Sequence, residues 1–178
     1  MHRFDLHTIP AQPWLNGAGT RQDLAARQHD GETVWRLSVA AIDRDCPFST
    51  YPGFARLHTL IAGVGTRLTG AGVDIEVRPM VPVAFDGAVA LNCTLIAGPA
   101  TALNLIYDPA AIRADLLALE AGAHMVEARE IAMLCVSGSA AIDGHTLEAG
   151  QGAVTEGAAA ITVDPSAEVL CALLDPAR

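Results

Sequence analysis

Apolar and polar positions exchange on a short rhythm along this chain. Val34–Ile42 (VWRLSVAAI) alternates in its first half, Arg56–Ile61 (RLHTLI) alternates polar and apolar from its start, and Asp74–Arg78 (DIEVR) alternates cleanly. Leu91–Ile96, Leu103–Tyr107, Ile131–Val136, Ala153–Thr155, Ala160–Val163 and Val169–Leu174 are further short apolar runs set between glycine and proline. Side chains on a strand point to opposite faces in turn, so this pattern predicts short strands. Their number and spacing predict an all-β sandwich or barrel in place of alternating strand–helix units. One stretch has helical spacing. Asp108 suits a cap, Pro109 a first turn and Gly122 a stop, with Ile112, Leu116 and Leu119 on one face between them. The pattern predicts one short helix within Asp108–Gly122, connecting an N-terminal half (1–107) to a C-terminal half (108–178).

The halves share a rhythm. Leu60-Ile61-Ala62-Gly63 leads through a glycine turn to Val81–Gly87, and Cys135-Val136-Ser137-Gly138 leads through Asp143-Gly144 to Ala149–Val154. Strand, glycine turn, strand, repeated twice, is the pattern of a double cupin-like (bicupin) barrel. N-terminal strands are free in this reading to pair with the C-terminal barrel.

Composition narrows the function classes. Apolar residues make up 51% and charged residues 17%, the balance of a packed globule and the reverse of a disordered chain. No run of about 18 apolar residues is present, so no membrane partner is expected. Met1–Gln12 lacks an apolar core, so it does not read as a signal peptide and a cytoplasmic location is expected. The net charge is −9 and every basic residue other than histidine is an arginine, which disfavours nucleic acid. Guanidinium groups suit forked contacts to carboxylates. Cys46, Cys93, Cys135 and Cys171 form no CxxC pair and are expected as reduced core fillers, with Cys46, beside Pro47 in a turn, the most exposed.

Candidate chemistry follows from the strand faces. The histidines are His2, His7, His29, His58, His124 and His145; none form His-x-His or HExxH, so neither a metal site nor a cofactor is expected. Arg36, Ser38 and Ala40 share one strand face; Arg56, His58 and Leu60 share another. If these faces line a barrel lumen, two arginines with a serine and a histidine make a site for a small carboxylate or dicarboxylate. If they face outward, they are an ordinary solvated surface. Asn16-Gly17-Ala18-Gly19 reads as a tight turn; a functional reading sets Asn16, Thr20 and Arg21 at a cavity mouth. No serine lies in a nucleophile elbow. Cys46 with His58 would make a thiol–histidine pair only if folding brought them together. No catalytic residue is therefore assigned.

A denser signature runs from Trp14 to Gly63: Trp14-Leu15-Asn16-Gly17-Ala18-Gly19-Thr20-Arg21, Trp35–Ala40, Pro47-Phe48-Ser49, Tyr51-Pro52-Gly53, Arg56 and Leu60–Gly63, followed by Phe85-Asp86-Gly87 and Asn104. This set resembles the HutD/Ves family of cupin-like proteins over about residues 10–107. The chain departs from the family's usual glycine at Cys46, its usual aspartate at Ala102, and its usual Met and arginines at Ile106-Tyr107-Asp108. The resemblance implies a double cupin-like barrel, cytoplasmic, without an established enzymatic activity. It also implies a link, for some members, to histidine utilisation and to a bound intermediate such as formylglutamate, and for others to stress responses. The candidate ligand-binding set is Arg36, Ser38, Arg56, His58, Asn16, Thr20, Phe48, Ser49 and Asn104. The expected role is metal-free binding of a small carboxylate in a regulatory setting. A metal-independent isomerase or hydrolase of a carboxylated metabolite, and a module forming homodimers through a barrel edge, are the competing roles.

Overall fold

The computed structural model describes residues 1–14 and 17–177, and every regular element among them is a strand. In chain order these are β1 (His2–Asp5), β2 (Gln12–Pro13), β3 (Gly19–His29), β4 (Glu32–Ile42), β5 (Cys46–Pro47) and β6 (Ala55–Ala62). Next come β7 (Gly65–Gly70), β8 (Val73–Val77), β9 (Val83–Asp86), β10 (Asn92–Ile96) and β11 (Ala100–Tyr107). The remainder are β12 (Ile112–Leu119), β13 (Gly122–Ser137), β14 (Ser139–Ile142), β15 (His145–Glu148), β16 (Gln151–Val163) and β17 (Glu168–Pro176). The contacts divide the chain into two units, Ile9–Pro109 and Met1–Thr8 with Ala110–Arg178. The cupin-type, all-β architecture expected from the alternation is what forms.

The helix expected within Asp108–Gly122 does not form. Ile112–Leu119 is strand β12, laddered residue for residue to β17 from Ile112 opposite Pro176 to Leu119 opposite Val169. The reason lies in parity. Ile112 and Leu116 are four apart, which places them on one face of a helix and equally on one face of a strand. Ala114 between them is half-buried while Arg113, Asp115 and Leu117 are exposed, the period of two and not 3.6.

The unit of residues 9–109 is built from two antiparallel sheets. One has the order β2-β3-β4-β11-β6-β9 and the other β5-β10-β7-β8. Ile42, Leu60, Ala100 and Ala102 of the larger sheet share a core cluster with Cys46, Leu68, Val77, Leu91 and Cys93. The tight hairpins are two-residue turns, Asp30-Gly31 between β3 and β4 and Ala71-Gly72 between β7 and β8, each with positive φ at both residues. That geometry matches the strand twist and is the reason Asp-Gly suits the position.

The other unit is a seven-stranded sheet of order β12-β17-β13-β16-β14-β15, with β1 added along β16. Ile131, Met133, Cys135, Ile142, Leu147, Ile161, Val163 and Val169 bury together as its core. The segments Ala153–Thr155 and Ala160–Val163 are one strand, β16, continuous through Gly157 at φ +78° opposite a register shift in β13.

Candidate functional site

The site grows from three neighbouring strands, β4, β11 and β6. Their ladders align residues in rows across the sheet: Arg36–Ile106–Arg56, then Ser38–Asn104–His58, then Ala40–Ala102–Leu60. Residues directly opposite in a ladder share a face, so all nine point the same way. With strands about 4.8 Å apart, the backbones of Arg36 and Arg56 lie about 10 Å apart, flanking Ile106. This face opens on a cavity of about 390 Å³ lined by Arg36, Ser38, Arg56, Asn104 and Ile106, by Arg21 of β3, and by Trp14, Phe48, Ser49 and Tyr51 from the loops.

The loop side is placed by backbone hydrogen bonds. Phe48 N–H donates to Leu91 O (2.8 Å), Tyr51 N–H to Gly87 O (2.6 Å) and Gly87 N–H to Phe54 O (2.8 Å). A Cβ at Gly87 would lie 2.6 Å from Phe54 O and 2.8 Å from Tyr51 O, so only glycine fits there.

Arg56 is the centre of the site. It is buried, and Nη2 donates to Asn104 Oδ1 (2.9 Å) while Nη1 donates to Ser49 O (3.3 Å). Its guanidinium lies 5.0 Å from the Phe85 ring centroid, 5.1 Å from Phe48 and 5.5 Å from Tyr51, close enough for cation–π attraction. Among the described residues no carboxylate pairs with it, and Nε has no hydrogen-bond partner. Burial, assisted by the Arg36 charge, lowers its pKa to about 10, so it remains a cation at neutral pH.

Arg36 is better compensated. Its Nη2 donates to Tyr51 Oη at 3.3 Å, and its Nε lies 3.7 Å from Asp23, which also holds Arg21 Nε at 3.0 Å. Two guanidinium groups, those of Arg21 and Arg36, thus share one carboxylate, and Arg56 has none among the described residues. No acidic residue lines the cavity among the described residues, although the chain carries 20 Asp and Glu.

His58 shares this sheet face but is fully buried and does not reach the cavity. Its Nδ1–H donates to Asn104 Oδ1 at 2.8 Å, so that oxygen accepts from both His58 and Arg56. Phe48 and Phe85 meet the imidazole edge-on, with centroids at 5.5 and 6.2 Å. Burial depresses its pKa to about 4, against its hydrogen bond to Asn104, which acts the other way, and this leaves the ring neutral at physiological pH. Among the described residues no group of three His, Cys, Asp or Glu side chains is placed to hold a metal ion. No helix of the described chain is long and apolar enough to cross a membrane.

The family model for HutD matches residues 6–172. This chain belongs to the HutD family. A relative from Pseudomonas putida, an uncharacterised 21.2 kDa protein in the hutC 3′ region, is 37% identical over 112 residues, 60% of this chain and 58% of that one. The protein Ves of Citrobacter koseri is 32% identical over 100 residues, 55% and 52% of the two chains. The chain thus spans a little over half the length of the curated relatives it matches. HutD from Pseudomonas fluorescens SBW25 superposes with a TM-score of 0.88 at 26% identity, over 98% of this chain and 97% of that one. Oxalate decarboxylase from Bacillus subtilis (TM-score 0.70, 10% identity, 97% and 76% covered) shares the cupin fold alone.

In this HutD-family chain, Arg36, Ser38, Arg56, Phe48, Ser49 and Asn104 of the candidate set come together at the cavity. His58 joins them through Asn104 and does not line it. Thr20 is half-buried on β3, opposite Ala41, and is not among the lining residues. Asn16 lies outside the described residues. Arg21, placed at a cavity mouth by sequence, is a lining residue. The thiol–histidine pair has no counterpart in the described contacts, since His58 is engaged by Asn104 and the two phenylalanines. Cys46 is buried at 7% exposure, against the expectation of an exposed turn, because β5 pairs it to β10 and seats it in the core. Tyr51, Trp14 and Ile106 were missed as lining residues. Asn104 came from the family resemblance alone, and Ile106, two residues after it on the same strand face, was available by alternation from it; Tyr51 and Trp14 sit in loops, where no periodicity points.

Proposed function

We propose that this chain binds a small carboxylate- or dicarboxylate-bearing metabolite in the cavity around Arg56, without a metal, in a regulatory or buffering role. The observation that carries the reading is Arg56 itself: a buried cation that, among the described residues, lies in a cavity without acids, has no carboxylate partner and leaves its Nε–H unused. Burying an unpaired charge costs several kcal/mol, and an arriving carboxylate offsets that cost through charge-assisted hydrogen bonds. Arg36 and Arg21, which share Asp23, supply a second cationic point whose backbone lies about two strand spacings, roughly 10 Å, across the sheet from Arg56, which suits a ligand with two acidic groups. The name of the P. putida relative places it beside a histidine-utilisation gene, so intermediates of histidine degradation, formylglutamate among them, are the first ligands to test. A metal-independent enzymatic role would rest on His58, and its burial behind Asn104 supports positioning in place of proton transfer.

The test is calorimetric titration with a panel of mono- and dicarboxylates, backed by thermal shift, since a true ligand raises the melting temperature by mass action. Arg36→Ala and Arg56→Ala are expected to abolish binding. Asn104→Asp sets an internal carboxylate against Arg56 and is expected to raise the melting temperature while weakening the ligand at least tenfold. A panel without a single binder, or an Asn104→Asp variant with unchanged affinity, would refute the proposal.

A further inference from the structure

All four thiols are free and buried. They are not placed alike. Cys46 on β5 and Cys93 on β10 stand directly opposite each other in an antiparallel ladder. The bond from Phe48 N to Leu91 O makes those two residues a hydrogen-bonded pair, and the ladder's alternation makes Cys46 and Cys93, two positions along, another. Cα atoms in such a pair lie about 5.5 Å apart, within the span of a disulfide, and their Cβ atoms stand about 1 Å wider than the bond needs, so closure draws the short edge strand β5 toward β10. Opposed residues project to one face, and both thiols sit in the same core cluster. Cys135 and Cys171 differ: Cys171 opposes Met133, and Cys135 opposes Val169.

We propose that Cys46 and Cys93 form a latent modification site, closed by a two-electron oxidant of the peroxide class into an intramolecular disulfide that pins the loop wall of the cavity. One sulfur attacks a peroxide oxygen and becomes a sulfenic acid as the O–O bond breaks. The other then attacks that sulfur and displaces its oxygen. Two thiols and one hydrogen peroxide give one disulfide and two waters, the thiol hydrogens ending in water. The crosslink ties a two-residue edge strand to its sheet neighbour β10, immediately before Pro47, Phe48 and Ser49, which line the cavity. Burial raises both thiols above their usual range, Cys93 to about 12, so closure is slow at neutral pH and a buried bond, once formed, is equally shielded from reductant. The site stands independently of which ligand the cavity takes.

The full chain is treated with hydrogen peroxide, its remaining thiols are alkylated, and it is digested without reduction. With no lysine present, trypsin separates Asp45–Arg56, carrying Cys46, from Leu68–Arg113, carrying Cys93, because the Arg78–Pro79 bond resists cleavage. Expected are these two peptides joined, two of the four thiols still free, a melting temperature several degrees higher, and amide exchange at Phe48 and Tyr51 slowed roughly tenfold. Cys135→Ser leaves the link in place; Cys93→Ser and Cys46→Ser remove it. Thiol loss without this link, a link to Cys135 or Cys171, an intermolecular link, or a link that leaves the exchange of Phe48 and Tyr51 unchanged would each overturn the proposal. The wild-type digest alone decides the pairing, should a serine variant fail to fold.

Discussion

A single oxygen, Asn104 Oδ1, organises the site at the scale of residues. It accepts from Arg56 and from His58, so a neutral, buried imidazole holds the amide that holds the cation. The arrangement depends on His58 staying neutral, and a proton on it would sit close to Arg56 in a space that already disfavours charge. The consequence for stability has a definite sign. The folded-state pKa, about 4, is below the unfolded value of about 6.5, so the folded state binds fewer protons between those limits. His58 therefore adds no penalty above pH 6.5 and removes stability as pH falls through the window, by about 3 kcal/mol once both states are protonated. Urea unfolding of the wild type and of His58→Gln across pH 4 to 7 measures the difference, and the variant is expected to show the shallower pH dependence.

At the scale of elements, the sheet does the aligning and the loops do the enclosing. The rows across β4, β11 and β6 were legible in sequence to the extent that Arg36 shares a face with Ser38, and Arg56 with His58. Which face turned inward was not, because Trp35, Leu37 and Val39 on the opposite face are buried as well. Alternation reports parity, and it reports direction only when one face is wet. The same limit explains β12, where a spacing of four satisfied helix and strand together until a partner strand chose between them. Tyr51 reaches the cavity through a turn fixed by Gly87. Gly87→Ala is expected to push the Tyr51 and Phe54 carbonyls away, cost about 1–3 kcal/mol in denaturant titrations, and weaken any ligand that contacts Tyr51 or Ser49.

At the scale of the whole molecule, a chain of net charge −9 keeps a cavity that, among the described residues, is free of acids and lined by Arg21, Arg36 and Arg56. Attraction inside the cavity is short-ranged, shielded by Phe48, Tyr51 and Trp14, whereas the surplus of acidic groups acts at a distance. Salt screens the second far more than the first, with a Debye length of about 10 Å at 0.1 M. An anionic ligand thus meets a repulsive approach and an attractive destination, the reverse of electrostatic steering. Its association rate, followed by stopped-flow fluorescence of Trp14 and Trp35, is expected to rise as sodium chloride is raised from 10 to about 100 mM, while its dissociation rate changes little. Under the proposed function, such a protein captures its anion slowly from dilute, low-salt solution and faster from the ionic milieu of a cell.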